Sequence, residues 1–184
     1  MNDPFLNSYL VPGWCWPREI RAIYEIIKEA KAKVHIEVGT FCGKSLFPTA
    51  KGMEPNGTIY SVDPLKAIDD VFVPDWEWVV DVNRASLQAI QRLRPDIILK
   101  PIRDYNQNVA KSIKEEIDTV YIDGNHELEF IEADLKTWIP KIRPGGIIFG
   151  HDFSSEWPTI ERAIQELDRP FEVIPQTRIW KIQL

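Results

Sequence analysis

The stretch HIEVGTFCGKS, residues 35–45, decides the fold of this chain. A short apolar strand is predicted over residues 34–38, and it runs directly into a loop with glycines at positions 39 and 43. Glycine has no Cβ atom, so the backbone can turn sharply there and a ligand can approach it closely. A helix is predicted from about Lys44. Strand, ligand-binding loop and helix together form the first unit of an α/β fold.

The alternation of strands and helices continues along most of the chain. Further strands are predicted at residues 58–62, 97–102, 119–122 and 147–149. The tail, residues 171–184, contains two strand-like segments, as in a hairpin. This pattern predicts a Rossmann-like, doubly wound α/β sheet that is mostly parallel, with helices on both faces and a C-terminal antiparallel hairpin.

The length of 184 residues suits a single domain over residues 1–184. Residues 1–32 are predicted to be an N-terminal segment, irregular up to residue 16, and then a helix from Pro17. Residues 64–82 interleave acidic residues with Phe72, Trp76 and Trp78, and we interpret them as a long loop or lid. Such a lid would close over a small substrate, and the alternative is a dimer contact or a mobile loop.

Charge and hydropathy exclude several classes of partner. The net charge is −6 and there is no basic stripe, which disfavours nucleic acids and anionic membrane surfaces. The apolar runs are only as long as strands, and no signal peptide is visible. Cys15 and Cys42 are interpreted as free thiols. We therefore expect a cytoplasmic protein with a small-molecule partner. Whether the chain forms a homo-oligomer stays open.

The glycine loop was compared with two kinds of nucleotide-binding loop. The dinucleotide fingerprint needs G-x-G-x-x-G, whereas the spacing here is G-x-x-x-G. The phosphate loop needs G-x-x-x-x-G-K-[ST], and Gly43-Lys44-Ser45 matches its end. However, Val38 stands where the first glycine of that loop should be. A phosphate-loop nucleotide hydrolase therefore stays only an alternative.

The loop fits a third kind of ligand better. Residues 35–45 resemble the first motif of class I S-adenosylmethionine-dependent methyltransferases, and Asp63 follows the next strand, where such enzymes carry an acid for the ribose hydroxyls. This cofactor has an ammonium group, a sulfonium and a ribose diol but no phosphate, so it needs carboxylates rather than a lysine. Glu37 is expected to pair with the ammonium group, and Asp63 to accept hydrogen bonds from the ribose.

Asp104 and Tyr105 follow the third strand, where related enzymes contact the adenine. The alternative for them is a helix cap and a surface aromatic residue. The resemblance thus implies a set of cofactor-binding residues, namely Glu37, Gly39, Thr40, Phe41, Cys42, Gly43, Ser45, Asp63, Asp104 and Tyr105.

Two further segments narrow the resemblance. The stretches VYIDGNH (residues 120–126) and PGGIIFGHD (residues 144–152) are similar to a subgroup that includes macrolide sugar O-methyltransferases and proteins named cephalosporin hydroxylases. The similarity runs from about residue 33 to 153. It implies a metal-assisted O-methyl transfer, in which Asp123 and Asp152 bind a divalent cation such as Mg²⁺. His126 matches the general base, and Asp123 is the second catalytic residue.

The chain departs from that subgroup at His151, where the macrolide enzymes have an acidic residue. A neutral imidazole is a poor ligand for magnesium and suits zinc, iron or manganese better, so the identity and the use of a metal stay open. His151 itself is interpreted as a polar residue at a strand end. The alternative for His126 is a residue at the start of a helix.

These observations predict an S-adenosylmethionine-dependent O-methyltransferase that acts on a small hydroxylated acceptor. Two alternatives stay beside it, the phosphate-loop nucleotide hydrolase and a non-catalytic module that only binds S-adenosylmethionine.

Overall fold

The computed structural model of the chain describes residues 3–66 and 75–184. In this part of the chain, seven strands form one sheet. They are β1 (Val34–Val38), β2 (Thr58–Val62), β3 (Ile98–Ile102), β4 (Ile117–Ile122), β5 (Ile142–Gly150), β6 (Glu172–Val173) and β7 (Trp180–Gln183).

The strand order across the sheet is β3-β2-β1-β4-β5-β7-β6. Strands β1 to β5 pair in parallel, whereas β7 runs antiparallel to both β5 and β6. The predicted fold class, including the C-terminal hairpin, is therefore confirmed. The order reverses between β1 and β4, and ligands bind at such a reversal, beyond the carboxyl ends of the strands.

Helices cover both faces of the sheet. They are α1 (Leu6–Leu10), α2 (Pro17–Glu29), α3 (Leu46–Gly52), α4 (Trp76–Leu93), α5 (Asn106–Ser112), α6 (Leu128–Trp138) and α7 (Pro158–Gln165), with a 3₁₀ turn at Ile139–Lys141. Buried residues of α2, α3 and α4 pack on one face, and those of α5, α6 and α7 on the other. No helix within the described ranges is both long enough and apolar enough to cross a lipid bilayer.

Alternation along the central strands supplies both layers of the core. Val120 and Ile122 of β4 pack on the face that carries α5 to α7, while Tyr121 packs on the opposite face. Successive side chains of a strand point to opposite faces, so a strand covered on both sides reads as a continuous apolar run. The apolar runs in the sequence are therefore the buried centre of the sheet.

The predicted lid over residues 64–82 is partly wrong. Residues 67–74 lie outside the described residues, but α4 begins at Trp76, where the Asp75 carboxylate accepts a hydrogen bond from the amide of Trp78 at 3.0 Å. Val79, Asn83, Ser86 and Ile90 form the buried side of this helix. The acids at 77 and 81 lie on its exposed side. What looked like a loop composition is the solvent face of an amphipathic helix.

Two smaller differences concern the ends of the fold. The N-terminal segment, predicted as irregular, contains the short helix α1. Strand β5 begins at Ile142, so it includes the Pro144-Gly145-Gly146 stretch that was predicted as a turn. The amide of Gly145 donates to the carbonyl of Leu184, which ties this stretch to the C-terminus.

Gly39, directly after β1, lies against the backbone of Asp123, directly after β4. Its φ of +83° lies in the left-handed region, and a Cβ atom there would overlap the carbonyl group of Asp123. Its amide donates to the carbonyl of Val62 at 2.9 Å, while the amide of Asp123 donates to the carbonyl of Val38 at 2.8 Å. Only glycine fits this position.

We expect Gly39→Ala to lower the free energy of unfolding by at least about 2 kcal/mol, because it adds both a left-handed alanine and a backbone overlap. Urea denaturation measures the change. Gly124→Ala is the matched control: its Cβ would meet only a methyl group of Val38, at 3.6 Å. That variant should stay within about 1 kcal/mol of the wild type. Equal effects of the two substitutions would contradict this account of Gly39.

Candidate active site

A cavity of about 920 Å³ lies at the carboxyl ends of the parallel strands. Pockets of several hundred cubic ångströms are the usual size for cofactors and small ligands. The loop after β1, Asp63 after β2, Asp104 after β3, Asp123 after β4 and Asp152 after β5 all line it. The structure thus brings the residues that follow five separate strands to one site.

Asp63 holds the glycine loop in its shape. One oxygen of its carboxylate, Oδ2, accepts hydrogen bonds from the amides of Thr40 and Phe41, both at 2.8 Å. The other, Oδ1, accepts from the amide of Leu65 at 2.7 Å. Burial raises the pKa of Asp63, and these three amides oppose the shift. The loop is therefore fixed by the same carboxylate that was predicted to bind the ribose.

Glu37 does not have the expected place. It is fully buried and does not line the cavity. Its carboxyl group accepts from the hydroxyls of Ser45 at 2.7 Å and Thr49 at 3.4 Å. Burial raises the pKa of Glu37 to about 8. The prediction that Glu37 itself pairs with the ligand's ammonium group is therefore corrected: it lies behind Ser45, which does line the cavity.

Gly43 is also absent from the cavity wall. A Cβ atom there would lie 3.0 Å from the Cβ of Ser86 on α4, so this glycine serves the packing of the loop on the helix. The other predicted loop residues line the cavity; they are Gly39, Thr40, Phe41, Cys42 and Ser45.

Lys44 lines the cavity, but its ammonium group is engaged with the backbone of the N-terminal segment. Its ammonium group donates to the carbonyl of Gly13 at 3.0 Å and so fastens the N-terminal segment to the loop. Next to it, the ring of Trp14 packs on Phe41 with a centroid distance of 5.2 Å, and Phe41 meets Trp76 edge to face at 6.2 Å. Three aromatic side chains from three segments form one wall of the cavity.

Asp104 and Tyr105 line the far side of the cavity. Asp104 accepts hydrogen bonds from the amide of Tyr105 at 2.7 Å and from the side chain of Asn108 at 3.0 Å. The N-cap of α5 is Tyr105 and no side chain caps it, so the helix-cap alternative is wrong for Asp104, which lines the cavity. The sequence reading missed Asn106 and Asp134, a buried hydrogen-bonded pair beside it; burial raises the pKa of Asp134 to about 7.

His126 and Asp152 form a pair on the opposite side. The distance between His126 Nε2 and Asp152 Oδ2 is 3.1 Å. The imidazole ring is stacked on Trp157 with a centroid distance of 4.0 Å, and the hydroxyl of Thr159 donates to the carbonyl of His126 at 2.6 Å. Asp152 and Trp157 therefore orient the imidazole, and Thr159 holds the backbone that carries it.

His151 is more than a polar strand end. It is buried among three carboxylates, 3.0 Å from Glu19, 3.1 Å from Asp152 and 3.7 Å from Asp123. Burial alone would lower the pKa of His151, but the carboxylates raise it to about 10. The imidazolium form that results compensates their charge.

Glu19 and Arg178 complete this cluster, and the sequence reading missed both. Arg178 contacts Glu19 Oε1 at 3.2 Å and Asp152 Oδ1 at 2.9 Å. Although burial opposes ionisation, contacts with His151 hold the pKa of Glu19 at about 2. The only local signal for Glu19 is its place in the first turn of α2, where its side chain accepts from the amide of Trp16. Arg178 precedes a strand and carries no motif.

The residues of the predicted metal site lie close together in the structure. Asp123, His126 and Asp152 offer ligand atoms that lie within 4.8 Å of one another. However, each oxygen of the two carboxylates already faces a donor or a cation. Asp152 faces Arg178 and His151 with one oxygen and His126 with the other, while Asp123 faces His151 at 3.7 Å and the hydroxyl of Tyr121 at 3.2 Å. The positive charges of His151 and Arg178 already compensate these carboxylates, so the described residues give a divalent cation a poor site.

Comparison with known proteins gives one family. The sequence model of a family described as a methyltransferase domain matches residues 36–153, more than half of the chain. The match includes the glycine loop and both segments that end at Asp123-Gly124-Asn125-His126 and His151-Asp152.

Several solved structures share the fold. An O-methyltransferase from Bacillus cereus in complex with SAH is 16% identical with a TM-score of 0.70, over 100% of this chain and 92% of that one. An O-methyltransferase from Streptomyces achromogenes, involved in tomaymycin synthesis and in complex with SAM, is 10% identical with a TM-score of 0.67, over 100% and 90%. A TDP-rhamnose 3'-O-methyltransferase of calicheamicin biosynthesis is 14% identical with a TM-score of 0.62, over 92% and 81%.

The raised pKa of Glu37 predicts how the stability of the protein depends on pH. An unfolded glutamate titrates near 4.5, whereas the folded protein raises the pKa of Glu37 to about 8. Between these values the folded state holds the extra proton, so this group makes the free energy of unfolding fall as the pH rises. Glu37→Gln cannot ionise. We therefore expect the stability of the variant relative to wild type to increase from about pH 5 to about pH 8 in urea denaturation. Parallel pH profiles would contradict the raised pKa.

Proposed function

The chain belongs to the methyltransferase domain family, and from that premise we propose that it transfers the methyl group of S-adenosylmethionine to a hydroxyl group of a small acceptor. The family match confirms the prediction of a methyltransferase, and with it the phosphate-loop alternative is wrong. The single observation that carries the O-methyl proposal is the His126–Asp152 pair at the wall of the cavity that the cofactor loop also lines.

The donor set of the cavity supports S-adenosylmethionine as the cofactor. Ser45 and the amides of the loop would hold the carboxylate and ammonium end of the methionine, while Asp63 would accept from the ribose hydroxyls. Asp104 and Tyr105 lie where the adenine is expected. Solved structures with this fold contain SAH or SAM.

His126 is the general base in the proposed reaction. Its imidazole takes the proton of the acceptor hydroxyl, and the Asp152 carboxylate, 3.1 Å from Nε2, stabilises the imidazolium that forms. The acceptor oxygen forms its new bond to the methyl carbon as the bond from that carbon to sulfur breaks, with S-adenosylhomocysteine as the leaving group. Asp123 also lines the cavity and would place a carboxylate on the side of the methyl donor; burial raises the pKa of Asp123. Catalysis of this kind depends mainly on orientation and charge.

The acceptor is proposed to be a small hydroxylated molecule with an apolar or ring-shaped part. Trp14, Phe41 and Trp76 line one wall and Trp157 another, and flat rings of this kind stack on sugars and aromatic groups. Within the described part of the predicted lid, residues 64–66 and 75–82, the side chains that line the cavity are Pro64, Lys66 and Trp76.

We propose a single domain over residues 1–184, without nucleic acid or membrane partners.

We expect His126→Gln to lower kcat by roughly 10²- to 10⁴-fold, because it removes the general base. Binding of S-adenosylhomocysteine, measured by calorimetry, should stay near the wild-type value. The control is Glu132→Gln on the exposed side of α6. Methyl transfer is measured with radiolabelled S-adenosylmethionine and a panel of hydroxylated acceptors. Unchanged turnover in His126→Gln would favour the alternative in which this chain only binds the cofactor and a contaminant transfers the methyl group.

We expect Asp63→Asn to weaken the binding of S-adenosylhomocysteine by roughly 10- to 100-fold, because a charged acceptor of two ribose hydroxyls is lost. Calorimetry measures the affinity, and a melting curve checks that the loop still folds. Asp81→Asn, an exposed carboxylate on α4 paired with Arg84, is the matched control and should bind as the wild type does. Equal affinities of the wild type, Asp63→Asn and Asp81→Asn would show that Asp63 does not bind the cofactor.

A further inference from the structure

Arg178 joins three parts of the chain that are distant in sequence. Its guanidinium donates to the carbonyl of Trp14 at 3.0 Å, contacts Glu19 of α2 at 3.2 Å and contacts Asp152 at 2.9 Å. It lies between β6 and β7 of the C-terminal hairpin, two residues before β7, and lines the same cavity as His126. The hairpin therefore contributes a fixed positive charge to the candidate active site.

The guanidinium determines which oxygen of Asp152 faces His126. It occupies Oδ1 together with His151, and this leaves Oδ2 towards the imidazole at 3.1 Å. Asp152 is buried, and the partners of its two oxygens hold the carboxylate in one orientation. A planar guanidinium is suited to this because its donors lie in a rigid fork.

The contact between Arg178 and Asp152 also affects the predicted metal site. A guanidinium stays charged at every accessible pH. A divalent cation between Asp123 and Asp152 would lie beside it, and the sulfonium of the methyl donor would add a third positive group to the same cavity. Two carboxylates whose charge Arg178 and His151 already compensate attract such a cation weakly, and it needs several oxygen ligands.

We propose that Arg178 takes the place of a resident divalent cation in this protein: it is a positioning residue that holds Asp152 against His126, and methyl transfer requires no added metal. The inference rests on the proposed O-methyl transfer. It assigns to the C-terminal hairpin a role in the reaction besides its role as the edge of the sheet.

The first experiment uses the wild-type chain and Mn²⁺ as the probe. Protein stripped with a chelator is titrated with Mn²⁺ and followed by electron paramagnetic resonance, in the presence of S-adenosylhomocysteine. We expect no bound Mn²⁺ at stoichiometric concentrations, and we expect the stripped enzyme to keep its rate of methyl transfer in excess chelator. A single tight Mn²⁺ site, or activity that is lost with the chelator and restored by a metal, would overturn the proposal.

The second experiment removes the positive charge of Arg178. Arg178→Gln should lower kcat by roughly 10- to 100-fold through misplacement of the base, with the KM for S-adenosylmethionine little changed. Arg178→Lys, which keeps the charge, should recover part of kcat. Lys181→Gln is the matched control, since Lys181 lies in the same hairpin but pairs with Glu29 and Glu172 outside the site. Wild-type kcat in Arg178→Gln would overturn the positioning role.

The two proposals fail in different ways. If the wild type binds S-adenosylhomocysteine but methylates no hydroxylated acceptor with or without metal, the proposed function fails. In that case the Mn²⁺ titration of the wild type and of Arg178→Gln still decides the metal question. A Mn²⁺ site that appears only when Arg178 is removed supports the inference, and a site present in both proteins contradicts it.

Discussion

The backbone of Asp123 passes so close to Gly39 that a residue with a Cβ atom does not fit between them. This contact continues the pairing of β1 and β4 beyond the sheet, because the amide of Asp123 donates to the carbonyl of Val38. It brings the loop after β1 and the segment Asp123–His126 to one cavity. The parts proposed to hold the methyl donor and to activate the acceptor are thus joined by rigid backbone, which keeps their separation fixed.

The site also depends on the compensation of its buried carboxylate charges by nearby cations. Glu19, Asp123 and Asp152 are carboxylates at or near a buried position, and an isolated buried charge is costly. Their partners come from elsewhere in the chain, His151 at the end of β5 and Arg178 from the hairpin. The N-terminal and C-terminal segments, which look peripheral in the strand order, therefore belong to the candidate active site.

Features that follow from a local rule could be predicted from the sequence. The strands, the glycine loop and the polar residues after each strand lie where they were predicted, and most of the latter line the cavity. The prediction failed at Trp76–Asp81, because a helix with acids and aromatic residues on its solvent face has the composition of a loop. It also failed at Glu37, since a carboxylate after a strand in a ligand loop can point to the ligand or to the core, and its hydroxyl partners Ser45 and Thr49 decided for the core.

The sequence by itself determined the α/β architecture, the edge of the sheet at which a ligand binds and the family-like motifs on that edge. Hydrophobic periodicity and turn residues act over a few positions, so they can be read along the chain. Only the tertiary structure decided that Arg178 and Glu19 lie beside Asp152 and that each carboxylate oxygen there faces a donor. Electrostatic partnership depends on distances of a few ångströms between segments far apart in sequence, and no local pattern encodes those distances.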